Sequence, residues 1–146
     1  MNSKSGTYVL VMQSPGRQRI QVGKWGQLET EQGFYLYVGS AFGPGGVLSR
    51  VSRHCRNDKA MRWHVDYLRA HTQLNSVWFT HGVRRLEHDW AKALESSKKT
   101  FPVAAFGCSD CRCNSHLFFL ARAAELPVCR RILPGTVHEW VPPPSV

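Results

Sequence analysis

The chain has 146 residues, 42% hydrophobic and 11% aromatic, enough for one globular domain with a real core and too apolar for a disordered chain. Nineteen Lys and Arg against ten Asp and Glu leave a net charge of +9, which favours a polyanionic partner, nucleic acid ahead of an acidic membrane surface. No apolar run reaches the roughly 18 residues of a membrane helix and the N-terminus lacks a signal-peptide pattern; with an odd number of cysteines, five, the expectation is a cytoplasmic protein with no disulfide framework and no membrane contact.

Thr7 to Met12 (TYVLVM) alternates and is rich in β-branched residues, so it predicts a strand with Tyr8, Leu10 and Met12 on one face. The stretch RIQVGKWGQLETEQG reads as a short hairpin or an irregular excursion. Phe34 to Gly39 predicts a second strand, with Tyr35, Tyr37 and Gly39 sharing a face. From Gly46 to Arg56 the period turns helical: Val47, Leu48, Val51 and Cys55 form an apolar stripe beside Arg50 and His54. A short helix follows in DKAMRWHVDYLRAH, through Met61, Val65 and Leu68. Ser76 to Gly82 predicts the third strand, and RRLEHDWAKALESS a helix with Leu86, Trp90, Ala93 and Leu94 inward. SHLFFLARAAE reads as a final helix, capped by Asn114 or Ser115 and stopped before Pro127, and RRILPGTVHEWV as an extended end or a last strand. The expected fold is α+β, a small three-stranded, mostly antiparallel sheet flanked by helices. It forms a single domain over residues 1–141 with a Pro-rich tail at 142–146.

Tyr8 and Tyr37 lie on strands that could share a face, Arg50 and His54 leave the next helix, and Glu87 opens the helix after the third strand. Phosphodiester hydrolysis needs such a set: a base for water, fixed positive charge for the phosphoryl oxygens and a carboxylate for a divalent cation. Arginine binds phosphate bidentately, and glutamate suits Mg²⁺ or Mn²⁺ as a hard oxygen donor. Each residue also has a bland reading: half-buried strand aromatics, a solvated helix face, and a carboxylate favoured by the helix dipole.

In this order the residues resemble the signature of the GIY-YIG nuclease family. Gly6-Thr7-Tyr8 is similar to its first half and Tyr37-Val38-Gly39 to its second, with Arg50, His54 and Glu87 following. The resemblance covers residues 6 to 98. The rest resembles an uncharacterised branch of that family, in a long insert between the halves, Trp63 to Leu68 (WHVDYL) and Ser109 to Phe118 (SDCRCNSHLF). It implies a three-stranded sheet flanked by helices and a metal-dependent endonuclease acting on nucleic acid, DNA in repair or recombination before RNA. It implies Tyr8 as general base with Tyr37 and His54 as rivals or helpers, Arg50 on the scissile phosphate, and Glu87 holding one Mg²⁺ or Mn²⁺. The alternatives are a catalytically silent nucleic-acid-binding module of the same fold and a zinc-stabilised interaction domain.

Lys24, Ser40, Arg53, Arg56, Lys59 and Arg62 are the expected nucleic-acid contacts, made to the backbone without sequence reading. Cys108, Cys111, Cys113 and His116 are of zinc-binding type, although four ligands within nine residues crowd one Zn²⁺, and small buried cysteines in a turn are the alternative. His64 reads as a partly buried histidine, and Asp66 as a candidate second carboxylate. Oligomeric state is left open.

Overall fold

In the computed structural model, residues 1–103, 106 and 115–144 are described. The alternating segments become β1 (Gly6–Ser14) and β4 (Gly33–Ala41), antiparallel from Gly6 opposite Ala41 to Ser14 opposite Gly33. Between them, β2 (Arg19–Val22) and β3 (Gly26–Glu29) pair as a separate hairpin. It buries Ile20, Val22 and Leu28 in the same core as Tyr8, Leu10 and Met12. Thus the long insert is a small second sheet packed on the first. On the other side of β1 lies β5 (Gln73–His81), with a bulge between Val11 and Met12.

The expectation of a three-stranded sheet is overturned. Among the described residues the main sheet has six strands, all antiparallel, in the order β6-β7-β4-β1-β5-β8. The added strands are β6 (Phe101–Pro102), β7 (Leu117–Leu120) and β8 (His138–Trp140). The segment expected as a final helix is β7, hydrogen-bonded to β4 from Phe34 opposite Leu120 to Tyr37 opposite Leu117. A run such as Leu-Phe-Phe-Leu carries no period when both faces of its strand are covered, so a buried strand and a buried helix look alike. Leu117 belongs to one core, Phe118 and Leu120 to the other. Pro127 begins rather than ends a helix: it sits in the first turn of α4 (Leu126–Arg131), where its missing N–H costs nothing.

The sheet has a core on each face. Even-numbered β1 residues Tyr8, Leu10 and Met12 pack with Val47 and Val51 of α1 (Gly46–Cys55) and Val65 and Leu68 of α2 (His64–Arg69). Odd-numbered Val9 and Val11 pack with Trp90, Ala91 and Leu94 of α3 (Glu87–Ser96) and Cys129 of α4. Met61, expected on the α2 stripe, lies outside that helix and is exposed.

The entry to α1 is set by backbone. Gly46 has φ +59, and a Cβ there would meet the carbonyl oxygens of Ser3 and Lys4 at 2.2 and 2.3 Å. Those contacts exist because the N-terminal segment crosses the helix start, where Val47 N–H donates to Lys4 O and Leu48 N–H to Asn2 O, both at 3.0 Å. Backbone carbonyls therefore satisfy amides that a side-chain cap would otherwise take. Among the described residues no helix is long and apolar enough to cross a membrane.

Candidate active site

Tyr8 stands opposite Gly39 in the β1–β4 ladder. A Cβ at position 39 would lie 2.5 Å from Tyr8 Cζ and Oη, so only glycine leaves room for the phenol to lie across β4. The ring is buried, and its hydroxyl is 2.8 Å from His54 Nε2 on α1. Burial and then the neighbouring Tyr37 phenol hold the Tyr8 pKa well above the usual tyrosine value, and the Arg50 guanidinium offsets this only in part, by charge and hydrogen bonding. His54 is fully buried, and its pKa is pushed down to about 3, first by desolvation and then by Lys59, Arg53 and Arg50 against an opposing pull from Asp66. The imidazole is neutral at physiological pH. Its Nδ1 has no hydrogen-bond partner among the described residues. A neutral histidine facing a phenol is an acceptor for the phenolic proton.

Glu87, the first residue of α3, approaches from the other layer. Its Oε1 is 3.1 Å from His116 Nδ1, and Ser40 also hydrogen-bonds the carboxylate. Burial pushes the Glu87 pKa up, but His116, His88 and the Ser40 hydroxyl outweigh it and hold it below the usual value. Glu87 is therefore ionised, and its side chain keeps 26% of its surface in solvent. His116 is placed by backbone bonds: Val38 N–H donates to His116 O at 2.9 Å and His116 N–H to Phe106 O at 2.8 Å.

Asp66 is buried and accepts four hydrogen bonds of 2.9 Å, from both terminal nitrogens of Arg53 and from the amides of Arg62 and Trp63. Burial alone would raise its pKa; these donors reverse the effect and bring it to about 2. The Arg50 and Arg53 guanidinium carbons lie 4.5 and 4.2 Å from the Trp63 ring centroid. Arg50, Arg53, Arg56, Arg62 and Trp63 line an open groove of about 370 Å³, with Gly43 and Pro44 on its wall.

The structure thus brings Tyr8, Tyr37, Arg50, His54 and Glu87 into one electrostatic neighbourhood, as the Tyr37, Arg50 and Glu87 charges felt at Tyr8 show. It separates the expected nucleic-acid contacts. Arg53 is committed to Asp66 and the Ala60 carbonyl, and Lys59 donates to the His54 and Arg56 carbonyls at the end of α1. Ser40 serves Glu87. Arg56 and Arg62 are exposed on the groove, and Lys24 is exposed in the β2–β3 turn. His64 is half-buried, its ring 5.8 Å from Phe106.

Two roles were missed in the sequence. His116, grouped with the cysteines, turns out to hold Glu87, a pairing of residues 29 apart that no local spacing signals. Trp63 carries the arginines; an aromatic just ahead of a helix whose third residue is Asp66 was the available hint. Cys108, Cys111 and Cys113 lie outside the described residues, and among the described residues no group of three or more His, Cys, Asp and Glu is placed to hold a metal. A hexahydrated-type hard cation asks less: one ionised, partly exposed carboxylate suffices when the ion keeps most of its waters, and Glu87 meets that condition.

Fold and site together define an antiparallel α+β domain with a buried Tyr–His pair, a flanking arginine and an ionised glutamate. The model of the family described as "Domain of unknown function DUF123" matches residues 7–135, and the chain belongs to this family. The resemblance to the GIY-YIG nuclease family is not upheld: the match is to this other family, no GIY-YIG signature accompanies it, and the six-stranded sheet is not the three-stranded one that resemblance implied. No curated protein and no solved structure matches the chain significantly.

Proposed function

We propose that the protein hydrolyses phosphodiester bonds of nucleic acid, DNA before RNA, as a metal-dependent endonuclease. The observation that carries this reading is the 2.8 Å contact of Tyr8 with the neutral His54 beside Arg50 and the ionised Glu87. Tyr8 is protonated at neutral pH and donates to the neutral His54 Nε2, so its oxygen accepts a hydrogen bond from the attacking water and orients it, and the proton that water loses on attack leaves to bulk solvent. Arg50 donates to the non-bridging oxygens of the phosphate, where charge builds. Tyr37 fills the wall beside Tyr8, and its hydroxyl is the second phenol of the site. Glu87, oriented by His116 and Ser40, would hold one Mg²⁺ or Mn²⁺, and when bound that ion supplies charge stabilisation at the departing 3′ oxygen. Arg56 and Arg62 line the groove in which the adjoining backbone would lie.

The test is cleavage of labelled duplex, nicked, branched and single-stranded DNA and RNA with Mg²⁺ or Mn²⁺, by wild type, Arg50→Ala and Glu87→Ala. Metal-dependent cutting lost by at least 100-fold in both variants is the expected result. No cutting of any substrate, with salt-sensitive binding retained by all three proteins, would overturn hydrolysis and leave a binding module.

A further inference from the structure

Three guanidinium groups lie over the Trp63 ring: Arg53 at 4.2 Å and Arg50 at 4.5 Å, with Arg62 farther out at 5.9 Å. Arg50 and Arg53 are three apart on α1, so they emerge side by side. Like charges on one indole repel. Only one is neutralised locally: Arg53 forms the bidentate pair with Asp66, while among the described residues Arg50 has no carboxylate within ion-pair distance. Asp66 also binds the backbone N–H groups of Arg62 and Trp63. One buried carboxylate therefore fixes both the indole and the arginine that shares it, and Arg50, the other α1 cation on the ring, is left to hydrogen-bond Tyr8.

From this we infer that Trp63, anchored through Asp66 and Arg53, is a positioning residue that presents Arg50 to the phosphate. The inference rests on the hydrolytic reading for its consequence, though not for its geometry. A lysine-length side chain on a helix surface samples many rotamers; an arginine stacked on an immobilised ring samples few, and the donor fork stays beside the Tyr8 hydroxyl that it hydrogen-bonds. Trp63 itself touches no reacting atom. The Asp66 pair takes Arg53 out of phosphate binding and gives it a supporting role, so the two neighbouring arginines differ in function despite equal chemistry.

The variants are Trp63→Phe, which keeps a ring, and Trp63→Leu, which keeps bulk without one; Trp63 is only half-buried, and thermal unfolding of each checks that both fold. The first readout uses the free protein. The Nε–Hε signal of Arg50, assigned by its loss in Arg50→Lys, is expected upfield from the indole ring current in wild type, still shifted in Trp63→Phe and at its unperturbed position in Trp63→Leu. The second is single-turnover cleavage beside binding of the same duplex in EDTA. Trp63→Leu is expected to slow cleavage 10- to 100-fold with binding altered less than threefold, and Trp63→Phe to recover to within threefold of wild type. An unshifted Arg50 signal in wild type, or full cleavage by a folded Trp63→Leu protein, overturns the positioning role. If wild type cuts nothing while the Arg50 signal follows the ring as described, the hydrolytic reading fails and the stacking stands.

Discussion

Replacing Asp66 by Asn tests the anchor on which α1 and α2 meet. The carboxylate accepts four bonds of 2.9 Å and donates none, because every neighbour is an N–H. An Asn amide must point its NH₂ at one of those donors in either flip. The least costly flip faces Arg53 Nη1, losing one charge-assisted bond and leaving Arg53, whose side chain is 16% exposed, without its counter-charge. Breaking a buried pair of this kind costs about 3 kcal/mol. The folded Asp66 pKa of about 2 gives an independent figure: against an ordinary value near 3.9 it contributes about 2.5 kcal/mol at neutral pH. Its pKa is depressed in the folded state, so the contribution is complete above about pH 5. It falls to about half near pH 3 and is gone below both values. Urea unfolding at pH 7 is expected to show Asp66→Asn about 2 to 3 kcal/mol less stable than wild type, with the difference about halved at pH 3. A difference under 0.5 kcal/mol at pH 7, or one that stays constant down to pH 3, would refute an ionic anchor.

Gly39→Ala forces the Tyr8 ring out of its place by a contact of 2.5 Å; it is expected to cost about 1 to 3 kcal/mol in denaturant unfolding and to abolish the proposed cleavage together. His54, neutral and buried with a pKa near 3, opposes acid: below about pH 6.5 the unfolded chain binds a proton that the folded one refuses. Stability therefore declines by up to about 1.4 kcal/mol per unit as pH falls from 6.5 towards 3, and His54→Gln should flatten that slope in pH-dependent thermal unfolding. His116→Gln frees Glu87 from its partner; Mn²⁺ binding followed by electron paramagnetic resonance is expected to weaken about 10- to 100-fold, and unchanged binding would remove His116 from the site.

The central strands were legible because alternation survives wherever both cores need different side chains: Tyr8, Leu10 and Met12 face one, Val9 and Val11 the other. The α1 stripe was legible for the same reason, with Val47 and Val51 inward and Arg50 beside them. The outer strands were less so: the extended end was open to a last strand, which is β8, but Leu117 to Leu120 has no polar face to reveal its period, and β6, with two residues, is too short to show one. These edge strands exist because a partner is already there, β8 against β5 and β6 against β7, and pairing across such distances leaves no local trace. The sheet was therefore undercounted. The residues of the candidate site were legible as Tyr8 near the start of β1, Arg50 and His54 one turn apart on α1, and Glu87 at the start of α3. His116 was not, since its placement depends on the Val38–His116 backbone bond of the outer sheet.

Net charge gives an excess of cations without saying where they act, and the structure divides them. Arg53 is consumed by Asp66, Lys59 by the carbonyls closing α1, and Arg69 by the His54 and Thr72 carbonyls. These cations build the α1–α2 junction, and Lys59 and Arg53 add to the burial that keeps His54 neutral. The exposed groove retains Arg56 and Arg62 beside Arg50. A positive excess in a sequence thus counts two populations that composition cannot separate: cations that hold the fold and cations that meet a ligand. Here the division falls within one residue pair, Arg50 and Arg53, because the Asp66 carboxylate takes only the second.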